Sequence, residues 1–353
     1  MPQPVSTENY YINMAINTPI LLITFNRPSH TRRVLERILE AKPQALYVFQ
    51  DGAREDNDTV RCAEVREVVN ELTARYAHEH KDFVLHTLYS PTNLGCGPGP
   101  MTGISWFFEH VEQGIVMEDD CLAHLDFFLY CEELLNRYKG TEVKFINSTL
   151  YDNRWTESLQ KDAETISCSY GFSRYMVTGA WASWREVWTG FDLDLRAMDA
   201  NAFRKQVLML TDNKAEADWW YYAVLEIQKD YAKKSYWDFQ MQIHLFCMGA
   251  VTIHPVRNLI SNIGFDAEGT HTLGNDGRGD KEVFPIIPLR HPAKIYVDKQ
   301  RDAYCFAKAH SKGFWRDMLS NLYSYLLWSD GWGHQLLVQY KKIKGSGYNM
   351  HRV

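Results

Sequence analysis

The sequence lacks the features of a disulfide framework, a thiolate metal site or a membrane span. Its seven cysteines are an odd number and form no Cys-x-x-Cys pair, which disfavours a disulfide scaffold and a zinc site. No apolar run approaches the roughly 20 residues that cross a bilayer. Residues 1–17 form a polar leader without the basic and apolar regions of a secretory signal. We therefore expect a cytoplasmic protein, with peripheral contact at the inner membrane left open.

Basic residues are outnumbered by acidic residues. Lys and Arg total 38 against 44 Asp and Glu, for a formal net charge of −6. Nucleic-acid backbones are held by basic surfaces, so no nucleic-acid partner is expected. The apolar fraction of 45% is typical of a globular core. The abundant aromatic side chains either form stacking platforms for bases and sugars or pack in that core, and composition leaves both open.

Apolar strands and helical stripes alternate over residues 18–150. Short apolar runs of the kind that form buried parallel strands occur at Pro19–Phe25, Ala45–Gln50, Phe83–Tyr89, Gly114–Met117 and Val143–Leu150. Helical stripes separate them, and Ser29 or Thr31 is the expected N-cap of the first helix. The alternation predicts an α/β fold with a mainly parallel sheet and helices on both faces.

The remaining chain is predicted to form three further parts. Residues 151–272 are less regular and rich in Trp and Tyr, residues 273–299 have the Gly and Pro content of a linker, and residues 300–353 carry a helical stripe. The last part is either a helical C-terminal appendage packed on the domain or a helix at a membrane surface or dimer contact.

Polar side chains follow the predicted strands at the edge where open parallel sheets bind ligands. The first strand ends in Thr24, Asn26 and Arg27, and Gln50-Asp51-Gly52 ends the second. A glycine loop with Asn93 follows the third strand, and Glu118-Asp119-Asp120 ends the fourth. We expect these segments to converge at one edge of the sheet.

Three adjacent carboxylates at the tip of an apolar strand repel one another and favour a bound cation. Hard oxygen ligands select Mg²⁺ or Mn²⁺, and such an ion neutralises a diphosphate leaving group. The alternative is a solvated turn or helix N-terminus. Arg27 is either a bidentate phosphate ligand or a surface side chain. Asp51 either accepts a base N–H, such as that of uracil, or forms an Asp-Gly turn.

The Gly-rich loop Gly95–Pro100 is unfavourable for a dinucleotide site. Pro98 and Pro100 remove backbone N–H groups that would hold a pyrophosphate, and Pro100 stands where the pattern needs glycine.

Several segments, taken in order over residues 18–272, resemble the A-type glycosyltransferases. The closer likeness is to the bacterial family-2-like nucleotide-diphospho-sugar transferases, and a distant one is to N-acetylglucosaminyltransferase I. The matching segments are Leu21–Pro28, Gln50–Gly52, Asn93–Gly95, Val116–Asp120, Phe127-Phe128, Tyr170–Tyr175, Gly179–Arg185, Trp237–Gln240, Asn258–Gly264 and Thr270–Thr272. The resemblance implies a GT-A-type nucleotide-diphospho-sugar transferase fold, with residues 18–150 as the nucleotide-binding half and residues 151–272 as the acceptor half.

The resemblance also implies a metal-assisted, inverting transfer from a nucleotide sugar, with UDP favoured, to a hydroxyl of a polysaccharide or lipid-linked glycan. Glu118-Asp119-Asp120 would be the DxD-like element, with Asp120 as the metal ligand and Glu118 and Asp119 on the ribose or sugar. His271 would be a second metal ligand or a diphosphate contact. Thr24, Arg27 and Asp51 would bind the nucleotide, with Asn26 and Asn93 beside them.

Asp238 matches the catalytic base of that family, and Trp237 would wall the sugar. Asp238 as a helix N-cap, His271 as an ordinary loop residue, and Trp181 and Trp184 as core residues remain alternatives. The loop Gly97–Met101 lacks the basic residues that relatives usually carry, so the diphosphate must depend on metal, on Arg27 or on another residue. A sugar nucleotidyltransferase and a catalytically inactive carbohydrate-binding relative are the alternative functions.

Overall fold

The computed structural model describes residues 15–149, 168–229, 237–265 and 281–310. The strands in these ranges are β1 (Ile20–Thr24), β2 (Ala45–Gln50), β3 (Val84–Tyr89), β4 (Gln113–Glu118), β5 (Cys121–Ala123), β6 (Val143–Asn147), β7 (Tyr170–Ser173), β8 (Ala180–Trp184), β9 (Val251–Pro255) and β10 (Ile260–Asn262). The helices are α1 (Pro28–Glu40), α2 (Asp56–Glu79), α3 (Pro98–His110), α4 (Asp126–Tyr138), α5 (Arg185–Trp188), α6 (Ala200–Thr211), α7 (Lys214–Lys229), α8 (Asp238–Cys247) and α9 (Lys299–His310).

The main sheet has the strand order β3-β2-β1-β4-β8-β6-β9-β7. Strands β3, β2, β1 and β4 are parallel, and β6 and β9 also pair in parallel. Strand β8 is antiparallel to both of its neighbours, and β7 is antiparallel to β9. Strands β5 and β10 form a separate antiparallel pair. The predicted fold class, a large and mainly parallel sheet with flanking helices, is confirmed.

Strand β1 shows why the sequence builds a sheet covered on both faces. Ile20 and Leu22 pack with α1, α2 and α4, whereas Leu21 and Ile23 pack with α3 and α8 on the opposite face. Side chains alternate between faces along a strand, so a strand buried on both faces must be apolar at every position. Burying each such side chain is worth roughly 1.5–3 kcal/mol, which fixes the strand in the centre of the sheet.

Trp181 and Trp184 lie in the core, and neither is a sugar platform. Trp181 is 1% exposed, and its ring is stacked 4.8 Å from Phe145 and 5.3 Å from Trp188, measured between ring centroids. Trp184 is also buried. A third apolar cluster joins α6, α7 and α8 around Trp220.

The expectation that Ser29 or Thr31 caps the first helix is wrong. Helix α1 begins at Pro28, the cap position is Arg27, and no side chain caps it. Proline has no N–H and a fixed φ, so it suits the first helical position, where an N–H would lack an intrahelical partner.

Residues 281–298, within the expected linker, pack on the body of the protein. Ile286 is buried, and the backbone N–H groups of Ile286 and Ile287 donate to Asp126 Oδ2 at 2.6 and 3.0 Å. The predicted boundaries at residues 150 and 272 lie outside the described residues and remain predictions. Helix α9 begins at Lys299, next to the predicted start of the helical appendage at residue 300, and the appendage itself remains a prediction because residues 311–353 lie outside the described part. Across the described ranges, no helix is long and apolar enough to cross a membrane.

Candidate functional site

A cleft of about 310 Å³ opens at the carboxyl ends of β1, β2 and β4. The segments that sequence analysis expected to converge do meet here. The predicted site residues that line the cleft are Thr24, Arg27, Asp51, Asn93, Glu118, Asp119, Asp120 and Trp237. Crossover connections bring the ends of parallel strands to the same edge, which accounts for the meeting of residues so distant in sequence.

The acidic cluster is paired with a single guanidinium. Arg27 Nη1 donates to Asp120 Oδ2 at 3.2 Å, and Arg27 Nη2 donates to Asp119 Oδ1. Asp119 is 2% exposed, and its Oδ2 atom has no hydrogen-bond partner among the described residues. The acidic cluster is therefore a paired and largely buried group of side chains rather than a solvated turn. One carboxylate oxygen, Asp119 Oδ2, can still accept a hydrogen bond or bind a cation.

The charges in this cluster shift one another's titration. Burial, together with the charges of Asp120 and Asp119, raises the pKa of Glu118 above its ordinary value. Burial also raises the pKa of Asp119, although Arg27 opposes the shift. Burial lowers the pKa of Arg27, but Asp119 and Asp120 outweigh it and raise the pKa overall. Three carboxylates and one guanidinium leave an excess of negative charge that favours a further cation.

Asp51 is the anchor of the loop that follows β3. Its Oδ1 accepts the N–H groups of Gly52 and Leu94, both at 2.9 Å. Its Oδ2 accepts the N–H of Gly95 at 3.0 Å and Asn93 Nδ2 at 3.1 Å. These four bonds use the acceptor positions of the carboxylate. The side chains of Asp51 and Asn93 therefore shape the wall of the cleft by holding each other and the loop.

Thr24 and Asn26 are placed differently from one another. Thr24 lines the cleft, but its hydroxyl donates to the carbonyl oxygen of Phe49 at 3.0 Å. Asn26 lines a separate groove, and its Nδ2 donates to Asp58 Oδ1 at 2.5 Å. Asn26 lies in the bend between β1 and α1, where the chain changes direction, and its side chain faces a different groove from the one that Phe25 and Arg27 line. Asn26 thus lies outside the cleft that the other candidate donor residues line, and its role in donor binding stays a prediction.

Arg54 is a cleft residue that sequence analysis missed. Its guanidinium lies 5.0 Å from the centroid of the Phe25 ring and is held by Asp58, with Nε 2.6 Å from Oδ2. Both Arg54 and Phe25 line the cleft. Arg54 supplies a positive charge that the loop Gly97–Met101 lacks. The available signal was its position as the first basic residue after the Asp51-Gly52 tip.

Trp237 forms one wall of the cleft, whereas the next residue, Asp238, is not among the residues that line it. Trp237 is the cap residue of α8 and lines the cleft. Asp238 is the first residue of the helix and not its cap, and its Oδ1 accepts the N–H of Phe239 at 3.0 Å. Burial raises the pKa of Asp238, and its charge contributes to the raised pKa of Glu118. Asp238 is thus within electrostatic reach of the acidic cluster.

A backbone segment covers the acidic cluster from the side of β10. The N–H of Ile263 donates to the carbonyl oxygen of Asp120 at 2.8 Å, and Ile263 O lies 3.1 Å from His30 Nε2. A Cβ atom on Gly264 would lie 2.5 Å from Asp120 Oδ2. A side chain at this position would push the Asp120 carboxylate aside. His271 lies outside the described residues.

The acidic cluster suits Mg²⁺ or Mn²⁺ by its donor chemistry. No group of three or more His, Cys, Asp or Glu in the described ranges is arranged as a ready-made metal site. These ions, however, are usually bound through one or two carboxylates together with substrate phosphates and water. The unpartnered Asp119 Oδ2 and the adjacent Asp120 carboxylate supply oxygen ligands of that kind.

Neither a family model nor a curated protein matches the chain. Solved structures with similar parts include a cytidylyltransferase from Leptospira borgpetersenii serovar Hardjo-bovis, 9% identical over 51% of this chain and 64% of that one, with a TM-score of 0.28. Another is glucosyl-3-phosphoglycerate synthase from Mycobacterium tuberculosis in complex with Mn²⁺, uridine diphosphate and phosphoglyceric acid, 14% identical over 53% and 62%, with a TM-score of 0.29. A UDP-glucose pyrophosphorylase complexed with UDP-glucose is 10% identical over 50% and 81%, with a TM-score of 0.28.

The chain spans less than two thirds of the length of the first two of these proteins. Likenesses of this strength do not identify a family.

Proposed function

We propose that the chain is a glycosyltransferase that moves a sugar from a nucleotide-diphosphate donor to a hydroxyl group, assisted by Mn²⁺ or Mg²⁺. The observation that supports this most directly is the meeting of Glu118, Asp119 and Asp120 with Arg27 in one cleft at the strand ends. That edge of an open α/β sheet is where ligands bind. The cleft joins an acidic cluster to an arginine fork and an aromatic wall, which together suit a charged diphosphate and a sugar.

In this proposal Asp120, with Asp119 beside it, would hold the metal ion. When bound, the ion would offset the negative charge that develops on the departing diphosphate. Arg27 would hold phosphate oxygens through two parallel N–H groups, and Arg54 would add a second positive charge at the cleft. Glu118 and Trp237 would contact the ribose or the sugar. These are the chain's own means of orienting the donor.

Asp238 would accept the proton of the acceptor hydroxyl as that oxygen attacks the sugar carbon, with inversion of configuration. A general base works best when its pKa lies near the working pH, and burial moves the pKa of Asp238 in that direction. Asp238 follows Trp237, which lines the cleft, and its charge acts on Glu118, so both observations support a position near the donor.

A uridine base is the favoured donor base, and the loop held by Asp51 would recognise it. Because the Asp51 carboxylate already accepts four hydrogen bonds, we assign the base contact to the backbone of that loop rather than to Asp51 itself. The acceptor class, a polysaccharide or lipid-linked glycan, and a cytoplasmic location at the inner membrane follow from the family resemblance alone. His271 as a metal or diphosphate ligand rests on it as well.

Calorimetry with a panel of nucleotide sugars, with and without Mn²⁺, tests the proposal. UDP-sugars should bind measurably only when the metal is present, and Asp120→Asn should abolish this binding. Asp238→Asn should keep donor binding and lower the rate of transfer by about a hundredfold or more. Asp82→Asn, at an exposed aspartate between α2 and β3, is the matched control.

Three outcomes would count against the proposal. Preferential binding of GDP- or CMP-sugars would refute the choice of base. Release of pyrophosphate from a nucleoside triphosphate and a sugar 1-phosphate would indicate a nucleotidyltransferase. Unchanged properties of Asp238→Asn, with no metal-dependent binding of UDP, would indicate an inactive carbohydrate-binding relative.

A further inference from the structure

The carboxylates best suited to a metal ion are engaged with Arg27. The two ends of its guanidinium bond separately to Asp119 Oδ1 and to Asp120 Oδ2. The side chains in these pairs are 15% exposed for Arg27, 3% for Asp119 and 14% for Asp120. A fork that spans two neighbouring carboxylates fills the space in which a shared cation would sit.

Arg27 cannot relieve this pairing by losing its charge, because a guanidinium remains protonated in proteins. Separating a buried ion pair is costly when either partner is left without compensation. A divalent ion that binds between these two carboxylates must therefore displace Arg27 from both of them.

The backbone cover restricts how the pair can rearrange. A Cβ atom on Gly264 would lie 3.0 Å from Arg27 Nη1 as well as 2.5 Å from Asp120 Oδ2, so the pair is packed against this backbone. The cover is tied down at Asn262, whose Oδ1 accepts the N–H of Gly264 at 2.8 Å. The guanidinium can therefore leave toward the open cleft, where a donor phosphate would lie.

One acceptor in the cluster remains unsatisfied. Asp119 Oδ2 is buried and has no hydrogen-bond partner in the part of the chain that the structure describes. A buried carboxylate oxygen without a partner is unusual and costs free energy. Arg27 thus leaves one oxygen of the cluster without a partner, and a cation that took the place of Arg27 would gain a ligand there.

We propose that Arg27 is a built-in competitor of the metal ion, and that the diphosphate of the donor releases it by offering the guanidinium new phosphate partners. This inference rests on the proposed function. It specifies that the donor diphosphate must release Arg27 before the metal ion binds tightly at the same site. Metal and nucleotide then bind synergistically, and the metal alone binds weakly. By linkage, each ligand strengthens the other by the same factor.

Titration with Mn²⁺ alone tests the exchange, with the electron paramagnetic resonance signal of free Mn²⁺ as the readout. The wild type should bind Mn²⁺ about tenfold more weakly without UDP than with it, a factor in the range typical of coupled ligands. Arg27→Gln should bind Mn²⁺ alone about tenfold more tightly than the wild type, and UDP should strengthen that binding less.

Two variants separate displacement from other effects. Arg54→Gln removes another positive charge from the cleft but leaves the Arg27 pair in place, so Mn²⁺ binding should change by less than about threefold, the expectation for a screened charge. Arg27→Lys keeps the charge but loses the fork, and its affinity for Mn²⁺ alone should lie between those of the wild type and Arg27→Gln. If Arg27→Gln does not fold, the affinities of the wild type and Arg27→Lys for Mn²⁺ alone are compared instead, and tighter binding by Arg27→Lys is expected.

The inference is overturned if Arg27→Gln and Arg27→Lys bind Mn²⁺ alone as weakly as the wild type. It is also overturned if Arg54→Gln strengthens Mn²⁺ binding as much as Arg27→Gln does, because the effect would then be general electrostatics. Absence of any joint binding of Mn²⁺ and UDP to the wild type would instead refute the proposed function, so the two failures are distinguishable.

Discussion

The carboxylate of Asp51 and the backbone N–H of Gly95 are joined by a hydrogen bond of 3.0 Å, although 44 positions separate them in the sequence. Together with the bonds to Leu94 and Asn93, it fastens the tip of β2 to the loop after β3. A buried carboxylate that accepts several N–H groups is difficult to replace. One wall of the cleft therefore depends on a single side chain.

Asp51→Asn should destabilise the protein by about 1–3 kcal/mol, because the new amide N–H₂ would face N–H donors that lose their acceptor. Affinity for a UDP-sugar should fall as well, since the loop is no longer held. Urea unfolding and calorimetry measure the two effects. Asp82→Asn should change neither, and equal stability of Asp51→Asn and wild type would contradict the anchoring role.

Gly264→Ala should impair donor binding far more than it impairs folding. The added Cβ would meet Asp120 Oδ2 at 2.5 Å, and this carboxylate, on a side chain that is 14% exposed, can shift without a movement of the backbone. Gly52→Ala is the contrasting case, because its Cβ would lie 2.3 Å from a backbone carbon of Thr92, which cannot move so easily. We expect Gly264→Ala to lose less than about 1 kcal/mol and Gly52→Ala about 1–3 kcal/mol.

Two measurements distinguish Gly264→Ala from Gly52→Ala. Calorimetry with UDP-sugar and Mn²⁺ reports the loss of donor affinity, and the midpoint of urea unfolding reports the loss of stability. Gly171→Ala is a neutral control, since its nearest neighbour, Arg301 Nη1, would lie at 3.5 Å. A Gly264→Ala variant with unaltered donor affinity would show that the cover does not position Asp120.

Glu216 should make the stability of the protein fall as pH rises through the weakly acidic range. It is 1% exposed, and burial raises its pKa from 4.5 to about 7; the hydrogen bond from Tyr175 lowers the pKa, and the charge of Asp302 raises it. Between these two pKa values the folded state binds more protons than the unfolded state. Stability is therefore lost as pH rises from 4.5 to about 7.

Glu216→Gln isolates this contribution because glutamine does not titrate but still offers an oxygen to the Tyr175 hydroxyl, which lies 2.5 Å from Glu216 Oε1. The stability of the wild type relative to the variant should decline by about 3 kcal/mol over that pH range. Urea unfolding of both proteins at several pH values measures the difference. A difference that does not vary with pH would mean that Glu216 titrates normally in the folded state.

Asp126→Asn should loosen the segment 281–298 from the body. Asp126 is 1% exposed, and its Oδ2 accepts both the Ile286 and Ile287 N–H groups. We expect hydrogen exchange of these two amides to accelerate by about tenfold or more, as a loss of one to two kcal/mol of local stability implies. Amides of β1 should keep their protection. Unchanged exchange at Ile286 would show that other contacts hold the segment.

The strand positions were predictable because burial on both faces leaves a continuous apolar run, as in Ile20–Thr24 and Ala45–Gln50. Their polar tips predicted the cleft, since parallel strands share an edge. The antiparallel position of β8 between β4 and β6 was not predictable, because its pairing depends on contacts between distant segments and its sequence, AWASW, resembles any buried strand.

Within the site, residue type indicated which side chains could belong to the cleft, but the sequence did not show in which direction each side chain points. Asn26 and Arg27 are neighbours in sequence, yet one bonds Asp58 and the other reaches the acidic cluster. Arg54 and Gly264 enter the cleft through turns whose geometry no periodic pattern encodes. Sequence analysis singled out Asp51 for a contact with the base of a ligand. In the structure, its carboxylate instead holds the loop after β3 by accepting hydrogen bonds from Asn93, Leu94 and Gly95.

The antiparallel strand β8 ties the acidic cluster to the second half of the sheet. The N–H of Glu118 donates to the carbonyl oxygen of Gly179 at 2.9 Å, and Gly179 has a φ of +108°, which a residue with a side chain rarely adopts. A side chain introduced at Gly179 would strain the backbone that aligns the carboxylates. Sequence variation in the stretch before β8 would therefore change the acidic end of the cleft from a distance, without altering any residue that lines the cleft.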